Sequence, residues 1–354
     1  MDGILIVDKP EGWTSHDVVA RVRRLLKEKR VGHTGTLDPF ATGVLVLLLG
    51  RATRLAQFLS GAEKEYEATI RLGYDTDTGD LTGTRRESAD ADGITKDCAA
   101  VGLEELEAAL ASLRGEIEQV PPMYSAKKVG GKKLYELARR GEEIERKAVR
   151  VRVSEFEIIA YEDGSFMKSD GDATCDVRAR VVCSAGTYVR ALAESVGASL
   201  GTGAHLAALR RTRAGEFRVG RAVSTEALQR LAEDGRLVEV KSRVEGRLVA
   251  EERLVAGGSL AEGVSLAEAG GEFLLPMEAA LPHMPAAHLT AEDARRVRHG
   301  AAVGARDAVG LDAAGLEDGA HVAMFDDDGA LVAVGSYDSA RGLLRPRVML
   351  AAEK

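Results

Sequence analysis

Asp38 is a lone carboxylate in an unusual setting. It sits within Gly32-His33-Thr34-Gly35-Thr36-Leu37-Asp38-Pro39-Phe40-Ala41-Thr42-Gly43-Val44-Leu45, a loop of small, turn-forming residues directly before an apolar run. Glycines let a backbone approach a ligand closely, and Pro39 fixes the exit direction. An acid presented in this way suits a carboxylate-dependent reaction on a bulky substrate. The same residues also read as a helix start, with Asp38 as N-cap and Pro39 as the first helical residue. Residues 41–49 would then form a buried helix, weakened by Gly43. The two readings are compatible, and residues elsewhere must decide between them.

Two further elements combine aromatic with basic side chains. One is Val120-Pro121-Pro122-Met123-Tyr124-Ser125-Ala126-Lys127-Lys128-Val129-Gly130-Gly131-Lys132-Lys133-Leu134-Tyr135, the other Cys183-Ser184-Ala185-Gly186-Thr187-Tyr188-Val189-Arg190. Aromatic faces beside Lys and Arg suit unpaired bases next to phosphates. The chain has only seven Tyr, seven Phe and one Trp, so three tyrosines in these elements are a notable share. Other motifs fail. Asp75-Thr76-Asp77-Thr78-Gly79-Asp80 has the look of a calcium loop, but Gly79 takes a ligand position and Arg86 stands where a bidentate Glu belongs. Gly201-Thr202-Gly203-Ala204-His205-Leu206 lacks the third glycine of a dinucleotide fingerprint. A phosphate loop and a nucleophile elbow are also missing, which removes support from kinase, dehydrogenase and hydrolase readings.

Net charge is −8 over 354 residues, yet the positive charge is clustered. Arg21, Arg23, Arg24, Lys27, Lys29 and Arg30 crowd one segment; residues 127–152 hold a second group and residues 210–221 a third. Phosphate contacts need only one basic face, so the acidic total does not exclude RNA. The longest aliphatic run, residues 44–49, falls far short of the ~20 residues that span a bilayer. The start Met1-Asp2-Gly3 lacks the features of a signal peptide, so a cytoplasmic protein is expected. Cys98, Cys175 and Cys183 contain no C-x-x-C pair. Cys175 and Cys183 are too far apart along one strand to bond, and all three are expected as buried thiols in a reducing compartment. Metal-site spacing is absent.

Elements must position these groups. Residues 4–7 read as a strand, and a helix begins at Ser15 with its basic residues opposite an apolar face. Residues 65–72, 149–161 and 175–183 alternate as strands, the last two joined by a polar insertion at 162–172. Helices are expected over 103–113, 133–140, 188–200 and 225–233. Residues 235–271 show no clear period. In the tail, Thr290 opens a helix ending near His299 and Gly300, and strands follow over 321–325 and 331–337.

Gly3-Ile4-Leu5 through Asp8-Lys9-Pro10, Gly12-Trp13-Thr14-Ser15-His16-Asp17-Val18-Val19 and the 32–45 block occur in order. Lys64-Glu65-Tyr66, Leu72-Gly73-Tyr74-Asp75-Thr76-Asp77-Thr78, the 121–135 and 183–190 elements, Gly203-Ala204-His205-Leu206 and Leu209-Arg210-Arg211-Thr212 follow. Together they resemble the bacterial TruB family, which makes the T-loop pseudouridine of transfer RNA. The resemblance covers most of residues 1–220, and the tail from about Pro285 is similar to a PUA domain. It implies an α+β fold with a mixed, mainly antiparallel sheet and flanking helices over 1–284, and a small β-rich PUA-like RNA-binding domain over 285–354. The activity implied is isomerisation of uridine at position 55 in the tRNA T-stem-loop by base flipping. A guide-RNA-dependent synthase subunit and a tRNA-folding chaperone are the alternatives.

By the same resemblance, Asp38 is the essential carboxylate. Arg190 pairs with it and would lower its pKa. Tyr66 stacks on the flipped base, Tyr188 and Leu209 line the pocket, and His33 helps hold the extruded loop. Lys9, Lys127, Lys128, Lys132, Lys133, Arg210 and Arg211 are candidates for the RNA backbone. No cofactor, metal or obligatory protein partner is implied, and a monomer is expected.

Overall fold

A computed structural model describes residues 1–86, 96–138, 140–169, 174–233 and 274–351. In chain order the first half contains β1 (Gly3–Lys9), α1 (Ser15–Leu26), β2 (Val31–His33), β3 (Thr42–Leu49), α2 (Ala56–Leu59), β4 (Lys64–Leu72), α3 (Leu103–Ser112) and β5 (Gly115–Gln119). A short hairpin of β6 (Lys128–Val129) and β7 (Lys132–Lys133) leads to α4 (Leu134–Ala138), β8 (Val149–Ile158), β9 (Lys168–Ser169), β10 (Cys175–Cys183), α5 (Val189–Leu200) and β11 (Ala204–Ala214). Then come β12 (Phe217–Arg218), β13 (Val223–Ser224), α6 (Thr225–Glu233) and β14 (Leu274–Leu275). The tail holds β15 (Ala286–His288), α7 (Ala291–Arg298), β16 (Val303–Gly304), β17 (His321–Phe325), β18 (Leu331–Asp338) and β19 (Leu343–Met349). The insertion at 235–271 lies outside the described residues, as does part of that at 162–172.

The main sheet runs β13-β1-β3-β11-β4-β10-β8-β5 and is mixed but mainly antiparallel. Its parallel contacts are β1 with β13 and β3 with β11. Register sorts its side chains onto two faces. Leu5, Val7, Leu45 and Leu47 share the front with Tyr66, Ala68 and Ile70 of β4 and with Val177, Ala179 and Val181 of β10. Helices α1 and α6 cover one half of the front and α3 and α5 the other, leaving the Asp38 loop between them. On the rear, Ile4, Ile6, Val44, Val46 and Leu48 share a core with Ala323, Leu331, Val334 and Leu350 of the tail. The remaining rear face is an ion-pair ladder in which Arg71 meets Asp176 and Arg180 meets Glu65 and Glu155. The tail forms a separate five-stranded sheet, β15-β17-β18-β19-β16.

The helix expected over 41–49 is instead β3. An uninterrupted apolar run does not distinguish a buried helix from a central strand. Here β1 lies along one side of it, with β2 and the end of β11 on the other. Leu45, Leu47, Leu48 and Leu49 are wholly buried, each contributing about 1.5–3 kcal/mol relative to an exposed side chain. Gly43 is required where β3 meets β11: its φ is +98°, and a Cβ there would lie 2.2 Å from the Arg211 carbonyl oxygen.

The cysteine expectation is also corrected. Cys98 and Cys175 form a disulfide with their Cα atoms 6.0 Å apart. Comparing Cys175 only with Cys183 on its own strand misses a partner 77 residues earlier. Cys183 is free and buried, and burial pushes its thiol up to about 11. Among the described residues no helix is long and apolar enough to cross a membrane.

Candidate active site

Asp38 is held at a turn, not at a helix cap. The Ala41 amide donates to the Asp38 carbonyl at 3.1 Å, and the chain enters β3 at the next residue. The carboxylate faces Arg190, the second residue of α5. That helix is fixed by close packing, since a Cβ at Gly197 would lie 2.3 Å from the Ala204 nitrogen at the start of β11.

Arg190 gathers three other chain segments around α5. Its Nε lies 3.0 Å from Asp38 Oδ2, and Nη1 lies 3.5 Å from Asp80 Oδ2. Nη1 also donates to the Thr78 carbonyl at 2.8 Å and Nη2 to the Tyr124 carbonyl at 2.6 Å. Arg190 is only 3% exposed, so these contacts make the guanidinium a fixed, charge-assisted clamp. Burial raises the Asp38 carboxyl above its ordinary range and the Asp80 charge adds to this, while Arg190 and Lys9 oppose them. The expected lowering by Arg190 is therefore present but outweighed. The Asp38 side chain remains 35% exposed at the mouth, so solvent moderates the effect of burial.

Tyr66 and Leu209 lie on adjacent strands of the front face, β4 and β11, and are 8% and 7% exposed. They share a cluster with Leu37 and Phe40, which flank Asp38 closely in sequence. Tyr188 immediately precedes α5 and is bracketed by Gln119, whose amide donates to the Tyr188 carbonyl at 3.1 Å and accepts from its N–H at 2.8 Å. A cavity of about 410 Å³ beside it is lined by Lys127, Val149, Arg150, Val151, Ala185, Gly186 and Tyr188. His33 packs edge-on to His16 with ring centroids 5.7 Å apart. Burial, His16 and Arg211 lower its pKa, and its Nδ1 has no hydrogen-bond partner among the described residues. The fold thus brings Asp38 against Arg190, with Tyr66 close enough to feel the Asp38 charge and packed in one cluster with Leu37, Phe40 and Leu209.

Several expected RNA contacts are not available to RNA. Lys9 is fully buried, and its ammonium donates to the carbonyls of Pro10, Trp13 and Pro39 at 2.8, 2.6 and 3.0 Å. Burial pushes it down to about 8, opposed chiefly by the negative charges of Asp38 and Glu11. Arg211 is 2% exposed and donates to the carbonyls of Val44, Thr36 and Gly35 at 2.7, 3.4 and 3.0 Å. Both cations bind backbone of the Asp38 loop or its neighbours, which is why neither meets solvent. Arg210 is partly exposed but makes a two-point pair with Asp8 at 2.7 and 3.0 Å. By contrast, Lys128 and Lys132 are exposed on the β6–β7 hairpin and Lys127 is half-buried beside it. The Lys133 side chain lies outside the described residues.

Asp80 is legible in the sequence only as part of a failed calcium loop. Nothing in that motif signals a carboxylate turned inward, although it lies just beyond the 72–78 block of the family pattern. Gln119 has no sequence signal at all.

Residues 23–189 match the family model described as TruB family pseudouridylate synthase, N-terminal domain. Residues 190–282 match that described as tRNA pseudouridylate synthase B C-terminal domain. The chain is 53% identical to tRNA pseudouridine synthase B of Thermobifida fusca (strain YX) over 64% of its own length and 74% of the relative. It is 42% identical to the same-named protein of Mycobacterium sp. (strain KMS) over 92% of each chain. A solved structure of a Cbf5–Nop10–Gar1 complex contains a chain similar at TM-score 0.64 and 27% identity, covering 99% of this chain and 84% of that one.

Proposed function

This chain belongs to the TruB family of pseudouridylate synthases, and we propose that it isomerises uridine at position 55 of the tRNA T-loop with Asp38 as its essential carboxylate. The observation that carries this assignment is a single partly exposed acid, Asp38, clamped by the buried Arg190. The reaction breaks C1′–N1 and joins C1′ to C5 of the same ring; the hydrogen leaves C5 and N1 gains one, so no redox partner is consumed. An aspartate can serve by attacking sugar or base or by taking a sugar proton, and either route requires its ionised form.

Arg190 supports that form and fixes its direction. Tyr66 and Leu209 would hold the flipped ring, with Tyr188 at the entrance, and flipping costs about a few kcal/mol. His33, neutral near pH 7, fits the stack that the base vacates. Lys127, Lys128 and Lys132, with Lys133 on the same hairpin, supply phosphate contacts. Residues 1–284 act as the catalytic domain, and 285–354 as a PUA-like domain that adds RNA surface. We place the protein in the cytoplasm as a monomer acting without an obligatory partner. The Cys98–Cys175 bond is compatible with that compartment only through shielding, and both residues are 2% exposed.

Identity of 42% over 92% of each chain to a protein named as a tRNA enzyme favours this reading over a guide-RNA-dependent subunit. Asp38→Asn separates enzyme from folding chaperone. The variant should bind a T-arm stem-loop with unchanged affinity and form no pseudouridine, read by mass spectrometry of the digested RNA. Persistent pseudouridine in that assay overturns the assignment of Asp38.

A further inference from the structure

Helix α1 connects the catalytic loop to a distant basic edge. At its start, Ser15 Oγ accepts from the Leu37 amide at 2.9 Å and the Gly12 amide donates to the Pro39 carbonyl at 2.9 Å. At its end, Arg23 donates to the Val31 carbonyl at 2.8 Å, and the Gly50 amide donates to the Arg30 carbonyl at 2.7 Å beyond the far end of β3. Val18, Val19 and Val22 face the core. The opposite stripe, His16, Ala20, Arg24 and Lys27, is exposed and spans ~16 Å at 1.5 Å per residue.

Arg23, Lys29 and Arg30 are exposed beside that stripe. Together with Arg24 and Lys27 they make five cations, none of which pairs with a side-chain carboxylate among the described residues. Glu28, the acid in their midst, is taken by the N-terminal ammonium at 2.8 Å. The stripe begins at His16, which packs against His33 of the segment leading into the Asp38 loop. Residues 17–30 contain no aromatic side chain. Single strands are held on aromatic platforms, whereas RNA duplexes are held by shape and phosphate contacts, so this surface has the chemistry of a duplex backbone site.

We propose that α1 and the turn after it form a track for the phosphate backbone of the double-helical stem that leads into the substrate loop. The proposal rests on the functional reading above and assigns the substrate's stem to a surface outside the Asp38 site. It makes α1 a ruler: its start touches the catalytic loop and its cations follow the stem away from it.

The test is Arg24→Glu combined with Arg30→Glu, compared with Lys168→Glu on the other half of the sheet. Affinity is measured for a T-arm hairpin with its full stem and for one whose stem is cut to two base pairs. At an ionic strength of about 0.1 M, the double variant should bind the full-stem RNA at least about tenfold more weakly, with its log–log salt slope reduced by about two. Affinity for the short-stem RNA, kcat at saturating RNA and the melting temperature should be unchanged, and Lys168→Glu should alter none of these. Equal losses on both RNAs, a loss matched by Lys168→Glu, or a fall in kcat overturns the proposal. Failure of the unaltered protein to make pseudouridine would instead remove the functional reading, while the binding comparison would still decide whether α1 holds a stem.

Discussion

Lys9, Arg190 and Arg211 lie behind the Asp38 loop, whereas Lys127, Lys128 and Lys132 stand on or beside the β6–β7 hairpin. Residue type alone makes the two groups equivalent as phosphate ligands. Burial separates them. Each cation of the first group is at most 3% exposed and spends its donors on backbone carbonyls or on Asp38 and Asp80. The hairpin cations stay in contact with solvent, available to a partner. The first group gives the loop its shape, and the second gives the surface its charge.

The largest expected effect breaks the comparison if it fails. Arg211→Met removes a buried guanidinium and strands the carbonyls of Val44, Gly35 and Thr36. Hydrogen bonds to charged groups are worth roughly 1.5–3 kcal/mol, and stranded acceptors add their own penalty. Urea unfolding should therefore show a loss on the order of 3 kcal/mol. Turnover should fall at least about 100-fold, because the loop that aims Asp38 is released. A variant with native stability and only weakened RNA affinity would make Arg211 a phosphate ligand after all.

The opposite signature is expected at the hairpin. Lys127→Glu with Lys132→Glu should raise KM by about 10–100-fold at low salt, an effect that shrinks as salt rises. At saturating RNA kcat should hold, and unfolding free energy should stay within about 0.5 kcal/mol of the unaltered protein. Steady-state kinetics at two ionic strengths, with urea unfolding alongside, read these quantities. A destabilised protein here would mean that the hairpin lysines serve the fold.

Much of this architecture is legible along the chain, because strands β4, β8 and β10 alternate and helices α5 and α6 carry clean periods. The site is less so. Tyr66, Arg190 and Leu209 meet Asp38 only through strand register and the packing of α5, and local pattern contains neither; their assignment rests on resemblance. Lys9 and Arg211 mislead for a physical reason, since cations are rarely buried unless every donor finds an acceptor. The strand at 42–49 is ambiguous because burial on both faces erases its period. Cys98 and Cys175 meet through a tertiary contact across 77 residues that spacing along one strand does not reveal.

The smallest effect concerns how the two kinds of charge respond to solvent. Asp80 raises the Asp38 carboxyl from the far side of Arg190, and it is itself 4% exposed. Asp80→Asn removes that negative charge while leaving an oxygen that can accept from Thr82. With Asp38 as the essential carboxylate proposed above, acting in its ionised form, the acid limb of the kcat/KM–pH profile should follow its pKa in the free enzyme. Burial places that limb above the ordinary carboxylate range, and the substitution should move it to lower pH. The sign follows from electrostatics: with one fewer neighbouring anion, the Asp38 anion is easier to form. The displacement should persist when salt is raised, because ions screen exposed charges far more than buried ones. A limb that stays in place would mean that Arg190 isolates the two carboxylates. One that moves but collapses with salt would mean that the clamp is wet, and the contrast with the hairpin would then be one of degree.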